Sequence, residues 1–200
     1  MKDALKSSEQ ATQTACKRST YLNELVEAFR RSLYEDLELV TDDGLSLRTH
    51  GVILTSRSQV FRTMLELDSD THEKCLRTQV PDIGHNELKL LIQFIYSGQI
   101  TVEDLKDHAL ALLMAADKFN IALLKEICET YFLQTLTASN ALDVLELAAR
   151  LSSPELLEEA ALSAIAKNYK LITLSNEYEE FAVKNPLLSV KVSRSIIDKI

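Results

Sequence analysis

The sequence predicts an α+β fold, a small β-sheet framed by α-helices and followed by an all-α extension. Three observations predict it. Apolar residues recur at i, i+3, i+4 and i+7 through most of the chain, which is the pattern of helices with one covered face. Residues 37–48 instead alternate around a turn, as a hairpin does. Glycine (4) and proline (3) are scarce among 200 residues, which excludes collagen, low-complexity disorder and a turn-rich all-β sandwich. A chain of this size buries roughly 70% of the surface its unfolded form exposes, so it can hold a core without disulfides or metals.

The elements follow in order. The Ser/Thr/Gln-rich residues 1–18 lack periodicity and read as a loose tail or a fraying helix start, so a flexible tail is placed at 1–20. Leu22, Leu25, Val26, Phe29 and Leu33 then trace one apolar stripe along a helix. That stripe must be covered, by its own chain or by a partner. LELV (37–40) and LSLR (45–48) flank TDDG (41–44), where Gly44 supplies the positive φ of a tight hairpin turn. Residues 49–67 are mostly helical with a break near Ser56–Ser58, and TQVPDI (78–83) is a short strand stopped by Pro81.

Helices dominate from there on. Leu88, Leu91, Ile92 and Ile95 form one stripe, ended by Ser97-Gly98. Leu112, Ala115, Ala116 and Phe119 form the next, and Leu124, Ile127, Cys128 and Tyr131 a third that closes near Leu136. Ala141, Val144, Leu145 and Ala148 repeat the spacing. Ser153-Pro154-Glu155 reads as a helix start, with Ser as N-cap, Pro in the first position and an acid in the first turn. Asn185-Pro186 gives the same signal for a last helix at 187–198. The chain therefore divides into a tail (1–20), a mixed domain (21–136) and a helical extension (137–200).

Charge and cysteine usage exclude several classes. The 22 basic and 30 acidic residues give a net charge of −8 and a pI near 5.1, so neither nucleic acid nor an anionic membrane is an expected partner. Cys16, Cys75 and Cys128 are scattered without a CxxC pair, as in reduced thiols of the cytosol or nucleus. The opening MKDALKSSEQ is polar, unlike a signal peptide, and no apolar run reaches the length of a membrane span. The expected location is cytoplasmic and/or nuclear.

The sequence carries little that points to catalytic chemistry. There is no GxGxxG, no GxxxxGK[ST] and no GxSxG, and no phosphate-cradling loop can be built from Gly44, Gly51, Gly84 and Gly98. His50, His72, His85 and His108 lie in separate elements without metal-ligand spacing. His72 and Cys75 form an HxxC that lacks a second pair, so a solvated loop is the simpler reading. Asp68-Ser69-Asp70 echoes a calcium loop but lacks its glycine and distal glutamate. Cys128 sits on an apolar stripe and reads as core filling. No catalytic, cofactor-binding or metal-binding residue is assigned, and no enzyme is expected.

Several short stretches, in order, resemble the BTB/POZ family, most closely its speckle-type POZ proteins and short plant members with a helical tail. Asp36-Leu-Glu-Leu-Val40 is similar to the opening strand. His50-x-x-Ile53-Leu54-x-x-x-Ser58-x-x-Phe61-x-x-Met64-Leu65 is similar to the central signature. Val80-Pro-Asp-Ile83 and Phe94-Ile-Tyr-Ser-Gly98 resemble a strand and a helix end. Ala115-Ala116-Asp117-Lys118-Phe119, with Leu124-Lys125 and Cys128-Glu129, resembles the A-A-(D/E)-K-Y…L-K…C-E segment. Leu136-Thr137…Asn140-Ala141 and residues 160–166 resemble the start of a BACK-type extension.

The resemblance implies a homodimeric protein-interaction module without cofactors, serving as substrate-specific adaptor of a cullin-3 RING ubiquitin ligase in protein ubiquitination. The alternative is a dimerisation scaffold that recruits transcriptional co-regulators without binding cullin. The implied dimer face is Leu22, Leu25, Val26 and Phe29 with Val52 and Ile53. The implied cullin face is Leu65, Leu67, Asp68 and Asp70 with Phe119 and Asn120. Implied partners are a second copy, the cullin-3 N-terminal domain and an unidentified protein substrate. The sequence departs from the family pattern twice. Gly51 stands where the family usually has Lys or Arg, leaving Asp36 in need of another partner or of solvent. Ser69-Asp70-Thr71 stands where many cullin-binding members carry a hydrophobic-x-Glu motif.

Overall fold

A computed structural model describes residues 26–27, 31, 34–67 and 75–197. The chain falls into two units, Met1–Ile121 and Ala122–Ile200. Val26 and Glu27 are helical, and Val26 is half-buried. Leu22, Leu25, Phe29 and Leu33 lie outside the described residues, as do Asp68, Asp70 and His72.

In the first unit, β1 (Leu37–Thr41) and β2 (Ser46–Thr49) form the expected antiparallel hairpin, with Gly44 at φ +81° in its turn. Thr41 accepts the Gly44 N–H, and Asp43 caps the turn through Leu45 N–H and the Thr41 hydroxyl. These donors hold the Asp43 carboxyl below its ordinary range, the Thr41 hydroxyl most of all. β3 (Leu76–Val80) runs parallel to β1, giving the sheet order β2-β1-β3. It begins two residues before the expected TQVPDI strand and ends at Val80, just before Pro81. As central strand, β1 is covered on both faces, with Leu37, Leu39, Val40 and Thr41 all buried.

Helices α1 (Gly51–Arg57) and α2 (Gln59–Leu67) replace a single helix over 49–67, because Ser58 is extended at φ −136°, ψ 122°. The break falls inside the expected Ser56–Ser58 window. α3 (His85–Ser97) ends on Gly98 at φ +66°, a left-handed cap that satisfies the Phe94 carbonyl. α4 (Val102–Lys118) starts at Thr101, whose hydroxyl accepts Asp104 N–H and donates to the Asp104 carboxylate. α3 packs on α1, α4 and β2. The core comprises Leu54, Phe61, Val80, Leu88, Leu91, Ile92, Leu112, Leu113 and Phe119.

The second unit is all-helical: α5 (Ala122–Thr135), α6 (Ala141–Ala148), α7 (Glu155–Lys167), α8 (Tyr169–Thr173), α9 (Asn176–Lys184) and α10 (Pro186–Ile197). α7 is its hub, packing against α5, α6, α8 and α10. The predicted stripes point inward through Leu124 and Cys128 from α5 and Ala141, Val144, Leu145 and Ala148 from α6, and the structure adds Leu157, Ala161 and Ile165 from α7. α8 and α9 carry no clean apolar stripe in the sequence and are not expected from it. α9 is capped by Ser175, whose hydroxyl accepts Tyr178 N–H.

Candidate functional site

The site begins where β2 turns into α1. Nothing in the His50 side chain caps this helix, so its first N–H groups need another acceptor. Asp36 supplies one: Gly51 N–H donates to Asp36 Oδ1 at 2.8 Å. The partner that the sequence left open for Asp36 is therefore a backbone amide at a helix start, where a carboxylate is favoured. A Cβ on Gly51 would lie 3.7 Å from both Asp36 Oδ1 and Leu65 Cδ1, so there is ordinary room for a side chain.

His50 turns inward. Its backbone N–H and Nδ1 lie 3.1 Å and 2.6 Å from the Tyr96 hydroxyl, and Thr49 Oγ1 is 3.1 Å from the same oxygen. Tyr96 sits near the end of α3 and is 4% exposed. Burial, above all, pushes its hydroxyl above the ordinary tyrosine value, against the pull of Thr49 and the His50 amide. The signature histidine is thus tied to the Phe94-Ile-Tyr-Ser-Gly98 segment.

Ser58 performs a second junction. It closes α1, accepts Phe61 N–H at 3.1 Å in α2, and donates to the Phe119 carbonyl at 2.6 Å. Phe61 and Phe119 stack with centroids 4.5 Å apart and planes within 3°. Lys118 reaches the Pro81 carbonyl and Asp82 Oδ2, and Asp82 N–H donates to Asp42 Oδ2. The five short stretches singled out in the first unit are therefore one connected structure.

The implied contact residues fare differently. Val52 is 68% exposed on α1, with Ile53 half-buried beside it, so this face is open to a partner. Asn120 is exposed in a left-handed conformation at φ +52°. Leu65 (8% exposed) and Phe119 (0%) are core residues, contrary to a reading in which their side chains meet a partner. Leu67 ends α2. The Tyr96 junction carried no role in the sequence reading. A hydroxyl closing the apolar run Phe94-Ile95-Tyr96 was the signal that a buried partner waited for it.

Cys75 is half-buried and Cys128 buried, with the Cys128 thiol pushed up to about 12 by desolvation. Among the described residues no cluster of His, Cys, Asp or Glu could hold a metal ion, and no helix is long and apolar enough to cross a membrane. The second unit exposes Leu171, Leu174, Val183 and Leu187. What these residues offer is surface and fixed junctions, the equipment of a protein-interaction module.

Comparison with known proteins identifies which one. A family model of the BTB/POZ domain matches residues 22–136. The BTB/POZ domain-containing protein At1g01640 of Arabidopsis thaliana is 32% identical over 181 residues, 90% of this chain and 86% of that one. A second Arabidopsis thaliana relative, BTB/POZ domain-containing protein At3g56230, is 30% identical over 194 residues, 96% of this chain and 68% of that one. Among solved structures, the BTB domain of zebrafish PATZ1 overlays with a TM-score of 0.49 at 17% identity, covering 60% of this chain and 94% of that one. The chain belongs to the BTB/POZ family. Its fold is the α+β arrangement expected, with a helical extension behind the matched region.

Proposed function

We propose that the chain is a homodimeric, substrate-specific adaptor of a cullin-3 RING ubiquitin ligase. The observation that carries this reading is the pairing of a BTB/POZ domain at 22–136 with an all-helical extension that runs to α10. The exposed Val52 on α1 supports a protein contact there, and Asn120 supports one beside the start of α5. The chain itself makes and breaks no bond in this reading. It accelerates ubiquitin transfer by raising the local concentration of a bound substrate.

Titration calorimetry against the cullin-3 N-terminal domain, with light scattering for the oligomeric state, tests it. Saturable binding at one cullin per protomer on a dimer is the expected result. A clean dimer that binds no cullin would instead favour a scaffold that recruits transcriptional co-regulators. Ser69-Asp70-Thr71, in place of a hydrophobic-x-Glu motif, speaks for that second reading, because buried apolar anchors dominate interface energy.

A further inference from the structure

We propose that Ser153 is a phosphorylation site for a proline-directed protein kinase, and that Lys125 receives the phosphate and so pins α5 to α7. The Ser153-Pro154 pair reads in sequence as a helix cap, but the structure does not use it as one. No side chain caps α7, and Pro154 already has helical dihedrals, its carbonyl accepting Glu158 N–H. The Ser153 hydroxyl instead lies 2.8 Å from Lys125 Nζ, across the gap between α7 and α5. Ser153 is exposed, in the turn that joins α6 to α7. It is also unique. The other prolines follow Val80 and Asn185, so the chain holds one Ser/Thr-Pro pair in its 200 residues.

The chemistry follows from that placement. Ser153 Oγ attacks the γ-phosphorus of a nucleoside triphosphate held by the kinase. The Oγ–P bond forms, the bond from γ-phosphorus to the β,γ-bridging oxygen breaks, the nucleoside diphosphate leaves, and the hydroxyl proton passes to the kinase's base. A neutral acceptor beside Lys125 becomes one carrying close to two negative charges, and the existing ammonium–hydroxyl contact becomes an ion pair. Glu155 and Glu158 in the first turn of α7 oppose that charge, with Glu158 itself held by Lys191 at 2.6 Å. The phosphate is therefore held by Lys125 from α5 rather than by the helix end. Because α7 packs on most of the second unit, a new tie from it to α5 stiffens the whole extension. The proposal does not depend on cullin binding.

The test uses the full chain, a purified proline-directed Ser/Thr kinase and Mg-ATP. The expected result is one phosphoryl group per folded chain, mapped to Ser153 by peptide mass spectrometry and absent from Ser153→Ala. The phosphorylated protein melts above the unmodified one at low salt. The increment shrinks in high salt, disappears in Lys125→Ala and survives in Lys125→Arg. Labelling of a synthetic 147–160 peptide but not of the folded chain would overturn the proposal, because the fold would then hide the site. Failure to label either would overturn it too, and so would an increment indifferent to Lys125→Ala.

Discussion

Replacing Tyr96 by Phe isolates one hydroxyl. The ring stays, so no cavity opens, and the loss is confined to the contacts with Thr49 Oγ1, His50 N–H and His50 Nδ1 at 3.1, 3.1 and 2.6 Å. Thr49 is fully buried and His50 half-buried, so water replaces the lost partner only on the histidine side. Leaving a buried polar group unsatisfied costs about 1–3 kcal/mol. At a urea m-value of about 2 kcal/mol/M, this lowers the unfolding midpoint by roughly 1 M. Urea titration followed by circular dichroism at one protein concentration measures it. Thr49→Val removes the other partner with its shape kept, so the double variant should lose clearly less than the sum of the singles. The reasoning fails if Tyr96→Phe stays within about 0.5 kcal/mol of wild type, or if the two changes add. The pH dependence supplies a second check. Burial raises the Tyr96 pKa in the folded state, so the unfolded chain releases this proton first as pH climbs past 10.0. The contribution is complete below that value and is lost as pH rises toward the folded value, a decline that Tyr96→Phe should lack.

Four further outcomes are expected. Gly51→Ala should raise stability by up to about 1 kcal/mol, since the site has room and glycine is a poor helix residue; Gly51→Lys should gain less, as a cation at a helix start opposes the dipole, and thermal melts rank the two. In the folded protein, timed alkylation read by mass spectrometry should modify Cys75 and spare Cys128, whose thiol is buried and shifted to about 12. Lys184 at 2.7 Å, chiefly by its hydrogen bond, holds Glu146 below its ordinary range; that stabilisation is present above 4.5 and fades as pH falls through the folded value, so Glu146→Gln should flatten the acid limb of a melting profile by no more than about 1 kcal/mol. If the proposed dimer face includes Leu25 and Phe29, their paired replacement by Asp should give monomers in sedimentation, because two charges would enter an apolar interface; a dimer that persists would move that face elsewhere.

Periodicity made most of the helices legible, because each stripe had a core to face: Leu88, Leu91 and Ile92 in α3, Val144 and Leu145 in α6. The hairpin was legible from Asp43-Gly44, whose turn chemistry is local. The parallel pairing of β1 with β3 was not, since it joins residues about forty apart and leaves no local mark. α8 and α9 escaped for a different reason. Leu171, Leu174 and Val183 are exposed while Ile172 and Phe181 are buried, so the apolar residues there do not draw one clean face. The Ser58 break was legible as a break, but its partner was not. That partner is the Phe119 carbonyl, sixty-one residues away, and backbone acceptors carry no sequence signal.

The same division explains why family membership was easier to read than partners. Leu54, Ser58, Phe61, Leu65, Ala115, Ala116 and Phe119 carry much of the resemblance, and all are buried. A motif built from interior residues reports the junctions that make the fold, and any member sharing the fold must keep them whatever it binds. The motif leaves exposed positions such as Val52 and Asn120 unconstrained, so it carries no record of what a surface binds. This sets how a cullin-binding experiment must be read. Truncating Phe119 would remove its stack on Phe61, at a cost of about 3–5 kcal/mol for an aromatic core residue, so lost binding there would report lost structure. Asn120→Gly keeps the left-handed backbone and alters only an exposed side chain. Weakened cullin affinity in that variant, at an unchanged melting temperature, is the result that would place the contact on this turn; unchanged affinity would remove Asn120 from it.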